Sequence, residues 1–151
     1  MSGPALLDVN LLIALFDPDH VHHDVAHDWF ADHGQAGWAT CSITENGFLR
    51  VLSNPKYGAS ASRPADLMRN LRQFCGSRGH VFWANSISLR DERLFNLDFV
   101  AGSRQLTDVY LLGLAHKMKG RLATFDRTIP VKAVRGAEAG TLHLVSPAAV
   151  E

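Results

Sequence analysis

Four acidic residues stand at the ends of apolar segments of the sequence: Asp8, Glu45, Asp108 and Asp126. No Lys or Arg lies next to the first three, so none of them has an evident partner nearby in the chain. If folding gathers such carboxylates, their mutual repulsion raises their pKa values unless a cation neutralises them. Mg²⁺ binds carboxylate oxygens, keeps several waters and accepts a substrate phosphate as a further ligand. These residue types therefore indicate metal-dependent chemistry on a phosphate ester.

Each of these acids also has a structural explanation. Asp8 and Asp126 directly follow predicted strands, where an aspartate often caps the next helix. Asp108 stands near a predicted helix start, where the helix dipole favours a negative charge by under about 1 kcal/mol. The stretch 42–45, S-I-T-E, matches the capping box S-x-x-E, so Glu45 is expected to bond to the helix backbone. The functional interpretation therefore depends on whether the fold brings the four together.

Apolar residues along the chain alternate between the spacing of strands and that of helices. Strands are predicted at residues 4–8, 37–40, 80–83, 121–125 and 141–145. Helices are predicted at residues 10–16, 22–34, 42–54, 62–76, 88–96 and 107–118. Such alternation predicts a mainly parallel central sheet flanked by helices, with the last strand at an edge. The predicted fold class is an α/β sandwich, in which functional groups gather outside the carboxyl ends of the strands.

The composition is that of a single globular domain over residues 1–151. Hydrophobic residues make up 46% of the chain and charged residues 20%, which suits one substantial core. The apolar N-terminal stretch lacks Lys and Arg, and its uncharged run between Asp8 and Asp17 is far shorter than the roughly 20 residues of a membrane span. We therefore expect no signal peptide and no membrane anchor. Cys41 and Cys75 lack metal-site spacing, so we expect reduced structural thiols and a cytoplasmic protein.

The charges of the chain balance, with 15 Lys and Arg against 15 Asp and Glu. This balance argues against nucleic-acid binding through overall charge alone. The bases begin only at Arg50, however, so a basic face can still bind a polyanion. Candidates for contacts with flanking phosphates are Arg104, Lys117, Arg121 and Arg127.

Five of the eight histidines lie between residues 20 and 33. His23 and His27 are four residues apart on a predicted helix, a spacing that can bind zinc. No H-E-x-x-H motif or cysteine accompanies the pair, so we expect exposed or supporting roles for them. Four aromatic residues fall inside apolar segments and are expected in the core rather than at a base-stacking surface: Trp29, Trp38, Phe82 and Trp83.

Four phrases of the sequence, LLDVNLLIALF, TENGFLRVL, RQLTDVYLLGLA and LATFD, carry these acids in order. Together they resemble the PIN-domain ribonucleases, specifically the VapC-type toxins of bacterial toxin–antitoxin pairs. The resemblance extends over nearly the whole chain and includes SNPKYG and HVFWANSISL. It implies a PIN-like three-layer sandwich whose acidic quartet maps onto Asp8, Glu45, Asp108 and Asp126. The polar positions that support the quartet are matched by Asn10, Thr107 and Thr124.

The resemblance implies a Mg²⁺-dependent endoribonuclease, with Mn²⁺ as a substitute, that hydrolyses RNA by metal-activated water. Asp8 and Asp108 would be the main direct metal ligands, and Glu45 and Asp126 would complete the shell directly or through waters. A small VapB-like antitoxin partner and a homodimer are also implied. Helix 62–76 and the helices before it are the candidate surfaces for these partners.

Two other functional classes remain open at this point. Asp8 at a strand end can be the nucleophile of a phosphatase, although that chemistry usually needs a second acid where this chain has Asn10. Trapping an acyl-phosphate on Asp8 would favour that class. A non-catalytic RNA-binding or interaction domain of PIN fold is the other class, and failure to bind Mg²⁺ or Mn²⁺ would favour it. Nuclease action on DNA or flap structures is a nearer alternative on the same fold.

Overall fold

A five-stranded sheet forms the centre of the protein in a computed structural model, which describes residues 3–58 and 61–146. The strands are β1 (Ala5–Leu7), β2 (Trp38–Cys41), β3 (His80–Trp83), β4 (Arg121–Thr124) and β5 (Leu142–Leu144). Their spatial order is β3-β2-β1-β4-β5, and every neighbouring pair is parallel. The predicted parallel sheet is confirmed, including the last strand at an edge.

In the described ranges, five α-helices connect the strands: α1 (Val9–Phe16), α2 (His23–His33), α3 (Ser42–Ser53), α4 (Pro64–Cys75) and α5 (Leu106–Lys117). Helices α1 to α4 share one buried cluster with Leu7 and Trp38. Helix α5 shares the other cluster with Leu6 and Leu122. Since successive strand side chains point to opposite faces, Leu6 and Leu7 anchor the two helical layers. The predicted three-layer α/β sandwich is therefore confirmed.

The middle of helix α5 is buried between the sheet and the segments 87–100 and 129–134. Every residue from 109 to 115 is buried. At Gly113 the helix touches the segment 87–100 so closely that an added Cβ would overlap the ring of Phe95 and stand 3.3 Å from Cδ1 of Ile87. A glycine is therefore required there by packing, not by backbone conformation.

Replacing Gly113 by alanine is expected to lower the free energy of unfolding by about 1–3 kcal/mol, the usual cost of overpacking a core. Helix propensity alone predicts the opposite, a gain of about 1 kcal/mol. Urea unfolding followed by circular dichroism decides between them. Gly102→Ala, in an exposed turn with nothing within 4 Å of the added Cβ, is the control and should change stability by under about 0.5 kcal/mol. A Gly113→Ala variant more stable than wild type would contradict this packing.

The predicted helix at 88–96 is wrong. The side chains of Ser88 and Asp91 accept hydrogen bonds from the backbone N–H two residues further on, at Arg90 and Arg93. Such local bonds compete with a helical ladder. The segment then ends in an isolated antiparallel bridge between Phe95 and Val134, so its backbone groups find partners outside a helix.

Two helix starts and one aromatic residue also differ from expectation. Helix α4 begins at Pro64, two residues after the predicted start at residue 62, and Arg63 is its N-cap. Helix α3 is capped by Cys41 and Thr44 rather than by a pairing of Ser42 with Glu45. Trp29, Trp38 and Trp83 are buried as expected, whereas the side chain of Phe82 is half exposed. It lies on edge strand β3, which has only one neighbouring strand to help cover it.

Candidate functional site

The topology creates one place where functional groups are expected. From central strand β1 the chain passes to β2 and β3 on one side and later to β4 and β5 on the other. Asp8 follows the last residue of β1, and Asp126 lies two residues after the end of β4. The crevice at the carboxyl ends of β1 and β4 is the switch point, where open parallel sheets bind ligands.

Asp8 is buried between α1 and β4. It is the N-cap of α1: its Oδ1 accepts the N–H of Val9 at 2.8 Å, and its Oδ2 accepts the hydroxyl of Thr124 at 2.7 Å. Burial raises the pKa of Asp8, and the charge of Asp126 adds to this, against the opposing effect of the two hydrogen bonds. Asp8 therefore caps helix α1, as expected, and also lies at the switch point of the sheet.

Thr124 joins three parts of this crevice through one hydroxyl. Besides donating to Asp8, its Oγ1 accepts from Nδ2 of Asn10 at 3.2 Å and from the N–H of Asp126 at 3.0 Å. Asp126 is held further by Thr128, whose N–H and hydroxyl both donate to Oδ1 of Asp126 at 2.8 and 2.7 Å. The orientation of both carboxylates is therefore fixed by the local backbone and by threonine hydroxyls.

Replacing Thr124 by valine keeps the volume but removes the hydroxyl on which these contacts depend. The buried carboxylate of Asp8 then loses a donor, and we expect the free energy of unfolding to fall by about 1–3 kcal/mol. Chemical unfolding of the two proteins at neutral pH measures it. Thr128→Val is the control, because Thr128 is exposed and its N–H still bonds to Asp126; its effect should stay under about 0.5 kcal/mol. Equal losses in both variants would show that Thr124 has no special position.

Asp108 completes a group of three aspartates at this edge. It lies in the first turn of α5, and it is half-buried. Burial, followed by the charges of Asp8 and Asp126, raises the pKa of Asp108 to about 7. Thr107, the residue before it, is exposed at the same helix start. The structure therefore couples three of the four predicted acids electrostatically.

The negative charges of this edge have no cationic partner in the described part of the chain. The ion pairs there, Asp66 with Arg69 and Asp91 with Arg93, lie on the surface away from it. A divalent cation fits such a donor set, since it replaces the missing countercharge and prefers carboxylate oxygens. The three carboxylates are not all within 4.8 Å of one another, so at least one of them would reach a single ion through water.

Glu45 lies instead over strands β2 and β3. Its Oε2 accepts the hydroxyl of Thr40 at 2.7 Å, and the same hydroxyl oxygen is 2.8 Å from Nε2 of His80. Cys75 is close to both Glu45 and His80, and burial together with the charge of Glu45 raises the pKa of its thiol. Burial also lowers the pKa of His80. Glu45 is therefore placed beside a thiol and an imidazole.

Four residues of these arrangements were not predicted as site residues from the sequence: Thr40, Cys75, His80 and Thr128. Thr128 was predictable, since a threonine two residues after an aspartate is typical of a turn closed by side-chain hydrogen bonds. The contacts of Thr40, Cys75 and His80 depend on how α3 and α4 lie over the sheet. A linear pattern does not contain that information.

The histidines of residues 20–33 have structural roles. Nδ1 of His23 and Nε2 of His27 each lie 2.8 Å from a carbonyl oxygen of α1, those of Ala14 and Leu15. These hydrogen bonds fasten α2 to the end of α1. The ring of His22 packs on Phe125, which lies between the two polar residues of the β4 end. The predicted supporting role of this cluster agrees with these contacts.

Comparison with known proteins identifies the family. Residues 5–134, from β1 to beyond β4, match the model of the PIN domain. The chain is 42% identical over 135 residues to Ribonuclease VapC44 of Mycobacterium tuberculosis, covering 88% of this chain and 93% of that protein. The chain belongs to the PIN-domain family of VapC ribonucleases. Ribonuclease VapC39 of the same organism is 40% identical over 87% of this chain and 95% of its own length.

A further relative matches a similar part of the chain. Ribonuclease VapC38 of M. tuberculosis is 45% identical over 81% of this chain and 84% of its own length. The PIN match contains all three coupled aspartates and Glu45, whereas β5 lies outside it.

Within the described ranges, no helix of this PIN domain has the length and apolar character needed to cross a bilayer.

Proposed function

We propose that this PIN domain is a metal-dependent endoribonuclease that acts as the toxin of a bacterial toxin–antitoxin pair. The observation that carries the proposal is the coupling of Asp8, Asp108 and Asp126 at the switch point without a cationic partner in the described chain. The relatives that the chain matches are named ribonucleases. Mg²⁺ is the proposed cofactor, with Mn²⁺ as a substitute, because the donors at this edge are oxygens.

The residues of the proposed site have two roles, metal binding and positioning of the metal ligands. Asp8 and Asp108 would hold the ion directly, and Asp126 and Glu45 would complete its shell directly or through waters. Thr124 and Asn10 keep Asp8 and Asp126 in place through the hydrogen bonds of the β4 end. The bound ion would activate water, orient the phosphate and stabilise the charge of the leaving 3′ oxygen. No nucleophile from the protein is needed. With water as the nucleophile and the 3′ oxygen as the leaving group, the products would carry 5′-phosphate and 3′-hydroxyl ends.

Two of the four bases expected near the phosphates fit this site. Arg127 is exposed next to Asp126, and Arg104 is exposed just before α5. Lys117 lies nine residues after Asp108 along α5, which is about 13 Å at 1.5 Å per residue. Arg121 begins β4 and so lies at the other end of that strand. We therefore propose phosphate contacts for Arg104 and Arg127 only.

Cleavage of RNA by the purified protein tests the proposal directly. We expect fragments with 5′-phosphate ends in Mg²⁺ or Mn²⁺, no cleavage in EDTA, and recovery when metal is added back. Ligation-based mapping of 5′-phosphates identifies the ends. Products with 5′-hydroxyl ends, or cleavage unaffected by EDTA, would overturn the metal-dependent mechanism. Cleavage of single-stranded DNA at the same rate would move the proposal to the DNA alternative.

The phosphatase alternative has less support than the nuclease. Asn10, at the position of the usual second acid, instead bonds to Thr124. A phosphorylated Asp8 after incubation with a phosphate ester would favour the phosphatase.

A VapB-like antitoxin is the proposed protein partner. Helices α1, α2 and α4 form an apolar groove of about 400 Å³, lined by side chains that include Leu15, Phe16, Phe30 and Phe74, with exposed Asn70 beside them. Such grooves accept the apolar face of an amphipathic helix. The groove lies in the region expected from the sequence, which included helix 62–76 and the helices before it.

Asn70→Arg should weaken antitoxin binding by at least about tenfold, because a charged side chain would be desolvated in the groove. Calorimetric titration with the protein encoded by the neighbouring gene measures it. Arg90→Ala, on an exposed loop, is the control and should leave binding unchanged. If both variants bind like wild type, the antitoxin uses another surface. Homodimerisation stays a prediction, to be measured by light scattering.

A further inference from the structure

A second group of metal-ligand side chains lies outside the aspartate crevice. One ligand atom each of Glu45, Cys75 and His80 lies within 4.8 Å of the other two. In the part of the chain that the structure describes, this is the one triplet of Cys, His, Asp or Glu that meets that distance. All three side chains are partly buried, so they are shielded from bulk water and still reachable from it.

The fold brings these three residues together from separate elements. Glu45 lies in the first turn of α3, Cys75 is the last residue of α4, and His80 is the first residue of β3. The turn between Cys75 and His80 contains Gly79 at φ 91°, a left-handed conformation that favours glycine. A tight turn thus presents a thiol and an imidazole five residues apart, and α3 adds a carboxylate from above the sheet.

The surroundings orient the ligands. The hydroxyl of Thr40 has one proton, which it donates to Glu45, so the nearby Nε2 of His80 must donate to Thr40. The imidazole also packs against the indole of Trp38, with ring centroids 4.6 Å apart. Hydrogen bonds and packing of this kind around metal ligands hold them in place for the ion.

The donor types select the ion. Thiolate and imidazole favour Zn²⁺ over Mg²⁺, which takes oxygen ligands. We propose that Glu45, Cys75 and His80 form a Zn²⁺ site, with water as the fourth ligand. Zn²⁺ bonds of about 2.0–2.3 Å in a tetrahedron place ligand atoms roughly 3.3–3.8 Å apart. The ligand atoms are at most 4.8 Å apart, so the group needs to contract by at most about 1.5 Å on binding, and the Cys75 proton is released to solvent.

Filling this site has a consequence for Glu45, which is also one of the four proposed catalytic acids. A bound Zn²⁺ would hold its carboxylate over β2 and β3. This consequence rests on the proposed nuclease function, whereas the zinc site itself does not. The experiment therefore measures metal binding and thermal stability rather than cleavage.

Titration with Co²⁺ and Zn²⁺ in excess Mg²⁺ tests the site, since Mg²⁺ occupies the oxygen-rich crevice. Co²⁺ reports thiolate ligation through a charge-transfer band in the near ultraviolet. We expect this band to saturate at one equivalent, and Zn²⁺ to abolish it and raise the melting temperature. Cys75→Ser should remove the band and weaken Zn²⁺ binding at least about tenfold. His80→Asn should weaken Zn²⁺ binding by a similar factor.

The controls separate this site from other binding. Cys41→Ala removes the other cysteine, which is buried against α5's cluster, and should keep the band. Asp8→Asn changes the aspartate crevice and should also keep it. The proposal fails if folded wild-type protein gives no thiolate band, if Cys41→Ala removes the band, or if Cys75→Ser binds Zn²⁺ as tightly as wild type. Circular dichroism of each variant confirms that it is folded.

Discussion

Replacing Asp8 or Asp108 by asparagine is expected to reduce RNA cleavage by at least about 10³-fold. Each change removes a negative charge and a ligand from the proposed metal site. Transition-state stabilisation by a bound ion amounts to several kcal/mol, and roughly 4 kcal/mol corresponds to 10³-fold in rate. Single-turnover cleavage of a labelled RNA in saturating Mg²⁺ measures the effect.

The same two variants should remain folded, because asparagine is nearly isosteric and removes repulsion among the aspartates. In the absence of metal, Asp108→Asn should melt at or above the wild-type temperature. Asp8→Asn should melt lower, because it loses one of the two hydrogen bonds of Asp8. Asp28→Asn, on the exposed face of α2, is the matched control and should cleave at the wild-type rate. Wild-type cleavage by Asp8→Asn or Asp108→Asn, once a contaminating nuclease has been removed, would leave the mechanism without support.

Mn²⁺ binding should weaken by about tenfold for each pH unit below 7, since one proton competes with the ion for Asp108. The basis is the pKa of Asp108, which burial and the charges of Asp8 and Asp126 raise to about 7 from 3.8. The sign for folding follows from the same shift. Between pH 3.8 and about 7 the native state holds more protons than the unfolded state. The contribution of Asp108 to metal-free stability is therefore fully present below pH 3.8 and is lost as the pH rises through about 7.

Calorimetric titration of Mn²⁺ at several pH values between about 5 and 8 measures the first effect, and urea unfolding in EDTA the second. In Asp108→Asn the part of the pH dependence that comes from Asp108 should disappear. Asp28→Asn should follow the wild-type profile in both measurements. A Mn²⁺ affinity that stays constant across this range would mean that Asp108 is already ionised without metal.

The sheet was predictable from the sequence because each strand and helix has a local cause. LLD and LATFD carry an apolar strand followed by an acid, and parallel pairing brings their ends to one edge. Asp8 and Asp126 therefore meet for a reason visible in the chain. The hydrogen bond between Thr124 and Asp8 joins residues 116 positions apart, but the strand ends that carry them already suggested it.

The position of Glu45 shows where such reasoning ends. The stretch 42–45 has the letters of a capping box, yet Cys41 takes the cap with Thr44, and Glu45 bonds to Thr40. A shift of one residue at the helix start decides between these patterns, and helix starts are the least determined feature of a sequence. Its contact with His80 depends on the register of β2 and β3 as well. Whether Glu45 serves the aspartate site stays a prediction.

The prediction of a helix at 88–96 was wrong for a related reason. Its apolar spacing suits a helix, but Ser88 and Asp91 offer nearby side-chain acceptors that favour turns. The antiparallel bridge between Phe95 and Val134 then stabilises an extended backbone at the end of the segment. Spacing reports which side chains face the core, and it does not report which backbone conformation presents them.

The three aspartates lie at the ends of regular elements: the N-cap of α1, the first turn of α5 and the hydrogen-bonded turn after β4. Arg104 and Arg127, by contrast, stand in exposed loops with no part in the core. Under the proposed nuclease function, substitutions at these two arginines would therefore change which RNA is bound while leaving the three carboxylates in place.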